Sequence, residues 1–355
     1  MRKPVQLLAV MGVVALTVGA CGSKPAESNT TTATAYKACM VTDTGGIDDR
    51  SFNASAWKGM QDAEKDGKVK SSNVQSTSEN DYVPNINALI SQKCDIIVTV
   101  GGLMADATKT AAQAHTDQKF AIVDAAYDPP LPNVFGMEFN TAQGAFLGGY
   151  LAAGMTKTNK VATYGGIKIA PVTIYMDGFW EGVQYYNQQK NKDVQVLGWD
   201  EKTQNGTFAD SFTDQNKGKQ ITSNFQQQGA DIVFPVAGGT GLGSGAAAQA
   251  SNGTLNLLWV DFDGCENAPQ YCPFFISSVV KNIPDIVTKT VTQASTGGFA
   301  SGAYVGTLQN NGTSLAPFHD WDSKVPADLK AELDQVKQDI MSGKITLTSP
   351  AQPKS

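Results

Sequence analysis

The sequence predicts an α/β protein with two lobes, each built on a parallel sheet that is flanked by helices. Short β-branched runs alternate with helix-length segments from Tyr36 onward, an order typical of parallel sheets. After residue 139 the alternation begins again, so two copies of one architecture follow each other. Hydrophobic residues fill 41% of the 355 positions, which is ample for a core, and 35 glycines suggest many tight βα turns.

The first copy contains five predicted strands and three predicted helices. The helical segments carry apolar residues at helical spacing, whereas the strands are short and β-branched. We expect strands at 36–42, 69–77, 95–100, 120–124 and 134–139, and helices at 54–66, 82–92 and 105–116.

The second copy has the same alternation and continues into a C-terminal extension. Because ligands of open α/β sheets bind beyond the carboxyl ends of the strands, two facing sheets predict a cleft between lobes. We expect strands at 161–165, 193–199, 231–235, 255–261, 274–280 and 302–308, and helices at 173–187, 217–228, 243–250, 283–294 and 326–341.

The N-terminus is typical of an export signal. A basic start precedes an apolar run from Val5 to Val18, and small residues lead to Cys21. The run is too short to remain as a spanning helix. Cys21 after Val-Gly-Ala resembles the lipobox of bacterial lipoproteins, which implies a signal peptide over 1–20 and a lipidated Cys21. Residues 21–35 then form a flexible tether. The alternative is an uncleaved N-terminal anchor.

The net charge of the chain bears on its possible partners. A formal charge of −6 argues against nucleic acid as a partner, because binding nucleic acid requires a basic surface.

The four cysteines other than Cys21 can pair in three ways in an oxidising compartment, and we favour Cys39 with Cys94 and Cys265 with Cys272. Metal ligation is the alternative, but both histidines are isolated in the sequence, so we expect neither a metal nor a cofactor.

The segment DTGGIDDRSFNASAWKG, residues 43–59, holds the densest group of candidate binding residues. It follows a strand and opens a helix, for which Ser51 is the expected N-cap. An ordinary βα connection explains the polar residues but explains poorly a large ring, Phe52, in the turn. Beside the amide of Asn53 and the carboxylate of Asp43, this ring suits a planar heterocycle.

This segment resembles the basic membrane protein family of nucleoside-binding lipoproteins, the purine nucleoside receptor type that serves ABC importers. The resemblance implies a periplasmic-binding-protein type I fold with the nucleoside between the lobes. We expect residues 36–139 with 262–297 in the N-terminal lobe and residues 140–261 with 298–349 in the C-terminal lobe. Further matching motifs lie at 156–161, 178–182, 211–214, 217–219, 229–231, 237–243, 260–263 and 277–281.

The resemblance also implies which residues hold the base. The base would lie between the rings of Phe52 and Phe212, while Asn53 and Asp124 bond its edge and Asp43 lies nearby. Phe212 could instead belong to the core, and Phe208 in the similar Thr-Phe-Ala-Asp segment is the alternative ring.

The sugar contacts follow from the same resemblance. Asp261 and Lys281 would hold the ribose hydroxyls, with Gly238 and Gly239 close to the sugar. Carboxylates accept hydrogen bonds from hydroxyl and ring N–H groups, so the ligand can be neutral. The alternative roles are backbone-amide bonding at the strand end for Asp261 and, for Lys281, an ion pair with that carboxylate alone. The sequence departs from the family in this region, at Phe262 and Gly264.

Two other kinds of site are weighed against this hypothesis. GLGSGA at 241–246, with Asp261 about 20 residues on, fits a dinucleotide fingerprint. The export signal, however, sends the protein away from cytosolic NAD. The sequence has no Gly-x-Ser-x-Gly or His-Glu-x-x-His motif, although acidic residues near ribose keep a nucleoside-cleaving enzyme conceivable.

The predicted function is therefore nucleoside capture by a lipoprotein on the outer face of the bacterial cytoplasmic membrane, with purine favoured by the resemblance. The sequence has no phosphate-binding Gly-x-x-x-x-Gly-Lys-Ser/Thr motif, so the ABC permease and ATPase must be separate chains. A type I binding protein for a sugar or other small polar ligand and a receptor that senses without transport are the alternatives.

Overall fold

A computed structural model describes residues 35–354. The predicted signal peptide 1–20, the lipidation site Cys21 and all but the last residue of the tether lie outside the described residues. The strands are β1 Tyr36–Thr42, β2 Val69–Val74, β3 Ile96–Val100, β4 Lys119–Val123, β5 Val134–Phe139, β6 Lys160–Gly165, β7 Gln195–Leu197, β8 Trp199–Asp200, β9 Asn205–Gly206, β10 Ile232–Val236, β11 Asn256–Asp261, β12 Phe275–Lys281, β13 Gly302–Gly306 and β14 Thr313–Leu315.

The helices alternate with these strands, as the βαβα pattern predicts. They are α1 Phe52–Ala63, α2 Tyr82–Ser91, α3 Ala105–Ala114, α4 Thr141–Met155, α5 Ala170–Lys190, α6 Gln215–Gln227, α7 Gly241–Ala250, α8 Gly264–Asn267, α9 Ile283–Ser295 and α10 Ala327–Met341.

The first lobe is built on a parallel six-stranded sheet in the order β13-β5-β4-β3-β1-β2. Alternate residues of β1 face opposite sides of this sheet, as a strand requires. Met40 packs with α1 and α9, whereas Cys39 and Val41 pack with α2 and α3. The sheet is therefore covered on both faces, and its central strands β3 and β4 are correspondingly apolar.

The second lobe repeats this arrangement in the order β14-β12-β11-β10-β6-β7, with only the short edge strand β14 antiparallel within this sheet. Helices α4, α5 and α10 cover one face and α6 and α7 cover the other. Along β6, Val161 packs with the first group and Ala162 with the second. The predicted α/β class with two sheets is confirmed.

The chain crosses between the two sheets in three places within residues 35–354, after β5, after β12 and after β13. The crossings bond to one another: Asn140 N donates to Gly306 O over 2.8 Å, and Asn282 N donates to Gly312 O over 2.9 Å. The three crossing segments are therefore adjacent and joined by backbone hydrogen bonds. We call them the hinge region.

Two strands pair in the lobe opposite to the predicted one. β12 lies within 262–297, expected in the first lobe, but pairs with β11 of the second sheet. Conversely, β13 lies within 298–349, expected in the second lobe, but pairs with β5 of the first. The predicted boundaries are wrong at these strands, because short β-branched runs carry no signal for the sheet in which they pair.

Helix α4 received no sequence prediction, and its composition explains why. Of its 15 residues, 12 are buried, so apolar residues surround it and leave no helical periodicity to detect. Its glycines allow very close packing on α5: a Cβ added at Gly149 would collide with the carbonyl of Phe179, and one at Gly182 with that of Phe146. This contact makes the centre of the second lobe tightly packed.

Two disulfides have the pairing favoured from the sequence. Cys39 of β1 bonds Cys94, which precedes β3, and Cys265 bonds Cys272 across a short loop. No helix found between residues 35 and 354 combines the length and the apolar character that crossing a bilayer requires.

Candidate ligand-binding site

A cleft of about 490 Å³, counting its open mouth, lies where the carboxyl ends of the two sheets face each other. Gly239 lies just behind its wall, where an added Cβ would be 3.1 Å from Phe212 O. The other predicted ligand-binding residues line the cleft: Asp43, Phe52, Asn53, Asp124, Phe212, Gly238, Asp261 and Lys281.

The N-terminus of α1 is capped by Asp49, not by Ser51 as predicted. Asp49 Oδ1 accepts hydrogen bonds from the backbone N–H groups of Ser51 and Ala54, both at 3.0 Å, and its Oδ2 accepts from Asn53 N at 2.7 Å. Ser51 Oγ makes no cap bond. The carboxylate reaches more of the free N–H groups in the first turn than a hydroxyl could.

Asn53 is held so that its amide oxygen is free. Its Nδ2 donates to Asp43 Oδ1 at 2.8 Å and to Asp49 Oδ2 at 3.2 Å, and the two carboxylates fix the orientation of the amide. Asn53 is 1% exposed, and its Oδ1 has no hydrogen-bond partner among the described residues. Asp43 also accepts from Gly45 N at 2.9 Å. A buried acceptor of this kind can receive a hydrogen bond from a ligand.

Asp124 and Asp261 occupy equivalent places, each directly at the carboxyl end of a strand and each with φ of +66°. This left-handed conformation is uncommon for a side chain other than Asn or Asp. Lys281 Nζ lies 2.7 Å from Asp124 Oδ2 and 3.8 Å from Asp261 Oδ1, and its side chain is only 3% exposed. Asp124 comes from the first sheet and Lys281 from the second, so this ion pair joins the lobes.

Aromatic rings surround the Lys281 ammonium. Nζ lies 4.9 Å from the ring centroid of Phe52, 5.3 Å from that of Tyr175 and 5.6 Å from that of Phe139. Tyr175 also donates its hydroxyl to Asp261 Oδ1 at 2.8 Å. These contacts hold the Lys281 side chain in place. Asp261, the predicted sugar-binding carboxylate, and Asp124, the predicted base-edge carboxylate, therefore belong to one connected cluster.

Burial controls the protonation of the cleft. It raises the pKa of Asp43 to about 6, aided by the charges of Asp124 and Asp261 and opposed by the Asn53 and Gly45 bonds. Burial also raises the pKa of Asp49 to about 7, against the lowering effect of its three backbone hydrogen bonds. The pKa of Asp124 is raised by burial and held down by Lys281. Burial and Asp261 raise the pKa of Tyr175, so this hydroxyl stays a neutral donor.

The structure separates the alternative rings. Phe212 lines the cleft over Gly166 and Gly238, where an added Cβ at Gly238 would lie 3.7 Å from Phe212 Cβ. Phe208 instead packs edge-on against Trp199, with centroids 6.0 Å apart. Phe212, and not Phe208, is therefore the second phenyl ring that lines the cleft with Phe52.

The dinucleotide-like GLGSGA segment lies inside helix α7, where its glycines pack against neighbours. A Cβ at Gly241 would lie 3.2 Å from the ring of Trp259, one at Gly243 would collide with Gln215 O of α6, and one at Gly245 would meet the ring of Tyr271. These glycines permit close helix packing, and Asp261, the acidic residue of the fingerprint, faces the cleft.

Sequence reasoning missed several residues of the cleft wall. Tyr175 lies one turn before Gly178 on α5 and belongs to no polar motif. Asp49 lies within the quoted segment, and its spacing before the first turn of α1 could have marked it as the cap. The other unpredicted lining residues are Gly45, Gly101, Gly102, Ile169, Pro171, Val172, Val236 and Ala237.

His319 is isolated in the sequence but not in space. Its Nε2 lies 2.7 Å from Asp263 Oδ2, and candidate ligand atoms of Asp263, Cys265 and His319 lie within 4.8 Å of one another. Cys265 is bonded to Cys272, which removes the thiolate that a metal would require.

Two covered α/β sheets, joined by three crossings and facing each other across a cleft, form the two-lobed fold of the periplasmic-binding-protein type I class. Solved structures share this fold. An ABC transporter solute-binding protein from Aeropyrum pernix K1 has a TM-score of 0.80 at 24% identity, covering 88% of this chain and 93% of its own. A periplasmic solute-binding protein from Actinobacillus succinogenes 130z, with bound D-allose, has a TM-score of 0.61 at 14% identity, covering 81% and 99%.

Sequence similarity gives the family. Residues 36–308 match the Bmp family, described as PnrA-like ABC transporter substrate-binding proteins, and the chain belongs to that family. It is 32% identical to the CD4+ T-cell-stimulating antigen of Listeria innocua, over 97% of this chain and 98% of the relative. It is 30% identical to the ABC transporter nucleoside-binding protein BmpA of Lactococcus lactis, over 89% and 90%. It is 28% identical to basic membrane protein A of Borreliella burgdorferi, over 98% and 96%.

The raised pKa values of Asp43 and Asp49 predict that acid stabilises the ligand-free protein. Both folded-state pKa values exceed the ordinary 3.8, so the folded state binds more protons between about pH 4 and pH 7. The free energy of unfolding should therefore fall as pH rises through this window. Calorimetry from pH 5 to 8 should show a shallower fall for Asp43→Asn, while the exposed-turn control Asp117→Asn should follow the wild type. Equal slopes for all three would contradict the prediction.

Proposed function

We propose that this substrate-binding protein captures a nucleoside outside the cytoplasmic membrane and delivers it to an ABC importer. The observation that carries the proposal is a cleft with two phenyl rings, Phe52 and Phe212, on walls from different lobes, beside the free amide oxygen of Asn53. This combination suits a flat heterocycle with N–H donors. The printed name of the Lactococcus lactis relative, a nucleoside-binding protein, supports the same ligand class.

The base lies between Phe52 and Phe212 in this proposal. Asn53 Oδ1 accepts a hydrogen bond from the base edge, and Asp43, which bonds the amide of Asn53, and Asp124 line the same cleft. Closure of the lobes excludes water from the ring faces and strengthens the polar contacts. A purine is favoured over a pyrimidine by the family resemblance rather than by any distance in the cleft.

The ribose lies toward Asp261 and Lys281, with Gly238 and Gly239 beside it. Asp261 is 6% exposed and faces the cleft, and it carries an acceptor that a sugar hydroxyl can use. Lys281 can donate to a hydroxyl oxygen while it remains near Asp124 and Asp261. The bidentate pairing of two hydroxyls with one carboxylate would distinguish a nucleoside from a free base.

The charge of the cleft favours an uncharged ligand. Four carboxylates, Asp43, Asp49, Asp124 and Asp261, line it with Lys281 as the one cation among the described lining residues. Lys281 is already engaged by two of them. A phosphate group would meet a surplus of negative charge, which supports a nucleoside over a nucleotide.

A stacking prediction tests the base position. Phe52→Ala should weaken nucleoside binding by about 1–3 kcal/mol, because it removes an aromatic face from the base. Isothermal calorimetry gives the affinity, and Phe52→Leu, which keeps apolar bulk without a ring, should lose much of the same energy. Unchanged affinity in the alanine variant would remove Phe52 from the site. Chromatography of the recovered ligand tests that the nucleoside is bound without being cleaved.

A second prediction tests the sugar position. Asp261→Ala should reduce nucleoside affinity far more than affinity for the free base, because only the nucleoside has ribose hydroxyls to lose. The two affinities are measured by calorimetry on the same protein preparation. Equal losses for both ligands would show that Asp261 does not hold the ribose.

The location of the protein is part of the proposal. Signal peptidase cleavage before Cys21 and lipid attachment at that residue would hold the protein at the outer face of the membrane, on the tether 21–35. The Cys21→Ser protein should then move from the membrane fraction to the medium or soluble exported fraction. Mass spectrometry of the wild type should find an N-terminal lipidated Cys21; an unmodified N-terminus would overturn the anchor.

A further inference from the structure

The two lobes touch directly through the N-terminus of α1 and the end of β11. Ser51 Oγ lies 2.8 Å from Asp261 Oδ2, to which it donates, and 3.2 Å from Val260 O. Beside it, Trp259 Nε1 donates to Arg50 O at 3.3 Å. Ser51 belongs to the first lobe, whereas residues 259–261 belong to the second, so both bonds span the cleft edge.

The hydroxyl of Ser51 has no hydrogen bond within its own lobe among the described residues. The cap of α1 is formed by Asp49, and Ser51 makes no cap bond. Ser51 is fully buried, yet it does not belong to the residues that line the cleft. Its hydroxyl therefore makes no cap bond to its own helix, and the acceptors that it reaches, Val260 O and Asp261 Oδ2, lie on the other lobe.

Asp261 connects this contact to the binding site. Its Oδ2 accepts from Ser51, its Oδ1 accepts from Tyr175 at 2.8 Å, and it lines the cleft that a ligand would enter. A hydrogen bond to a buried carboxylate is stronger than one between neutral groups. Opening the lobes separates Ser51 from Asp261 and leaves a buried acceptor to be rehydrated.

We propose that Ser51 is a closure residue: its hydrogen bond to Asp261 exists only when the lobes are shut and sets the population of the closed form. This inference rests on the proposed function, because it assumes that the ligand binds the closed form. The apparent dissociation constant rises as the competent fraction falls. Ser51 acts on that fraction without touching the ligand, so its loss affects every ligand of the cleft by the same factor.

The discriminating variant is Ser51→Ala, with Ser55→Ala as the matched control. Ser55 is one turn further along α1 and equally buried, but its Oγ donates to Phe52 O within the same helix. Calorimetry with a nucleoside and with its free base should show that Ser51→Ala weakens both by about tenfold, equivalent to about 1.4 kcal/mol. Ser55→Ala should leave both affinities and the closed population unchanged.

A double-mutant cycle isolates the bond. When Asp261 is already alanine, adding Ser51→Ala should weaken binding by much less than it does in the wild type, because the carboxylate acceptor is gone and only Val260 O at 3.2 Å is left. An additive loss would overturn the assignment. A loss confined to the nucleoside would also overturn it, since this would make Ser51 a ligand contact.

Small-angle scattering supplies a measurement that does not need the ligand. Ligand-free Ser51→Ala should have a larger radius of gyration than the ligand-free wild type, and saturating nucleoside should bring both to the same value. If the wild type binds no nucleoside, the proposed function fails, while the ligand-free comparison still decides the closure inference. Should Ser51→Ala not fold, Ser51→Gly provides the same comparison. Identical radii in the folded variant and wild type would overturn the inference.

Discussion

One ammonium group buried between two carboxylates of different lobes is the interaction on which the cleft depends. Lys281 lies at the end of β12, between Asp124 and Asp261, and all three side chains are at most 9% exposed. Removing the ammonium would leave two carboxylates buried without a counter-charge, which is among the more destabilising changes known in proteins. The ion pair therefore favours the arrangement in which the strand ends of the second sheet face those of the first, and the rings of Phe52, Tyr175 and Phe139 surround its ammonium group.

Most secondary structure could be predicted because periodicity is a local property. The strand Tyr36–Thr42 and the helix that begins at Tyr82 have the expected positions. Pairing between distant segments is not local, which is why β12 and β13 were assigned to the wrong lobes. Helix α4 escaped detection for another reason: burial on every side erases the amphipathic pattern by which a helix is recognised.

The residues of the candidate site also differ in whether local sequence or long-range contacts reveal them. Residues in short motifs, such as Phe52 and Asn53, are visible in the sequence, and their place in the cleft follows from a strand end and a helix start. Tyr175 and Ser51 gain their meaning only from partners about 86 and 210 positions away along the chain, so no motif could assign them. The hydroxyl of Ser51 was expected to cap its own helix, and the nearby carboxylate of Asp49 does so instead because it reaches three backbone donors.

Strand β13 is synthesised late, although it belongs to the sheet of the first lobe, and this affects the order in which the lobes fold. This edge strand completes a sheet whose other members end by residue 139, so more than 160 residues separate it from its partner β5. A chain that emerges from the ribosome in order, or threads across a membrane, must deliver nearly all of the other lobe before the first can close its sheet. Until β13 arrives, β5 is an unpaired edge of the first sheet, and such an edge is open to pairing with another chain.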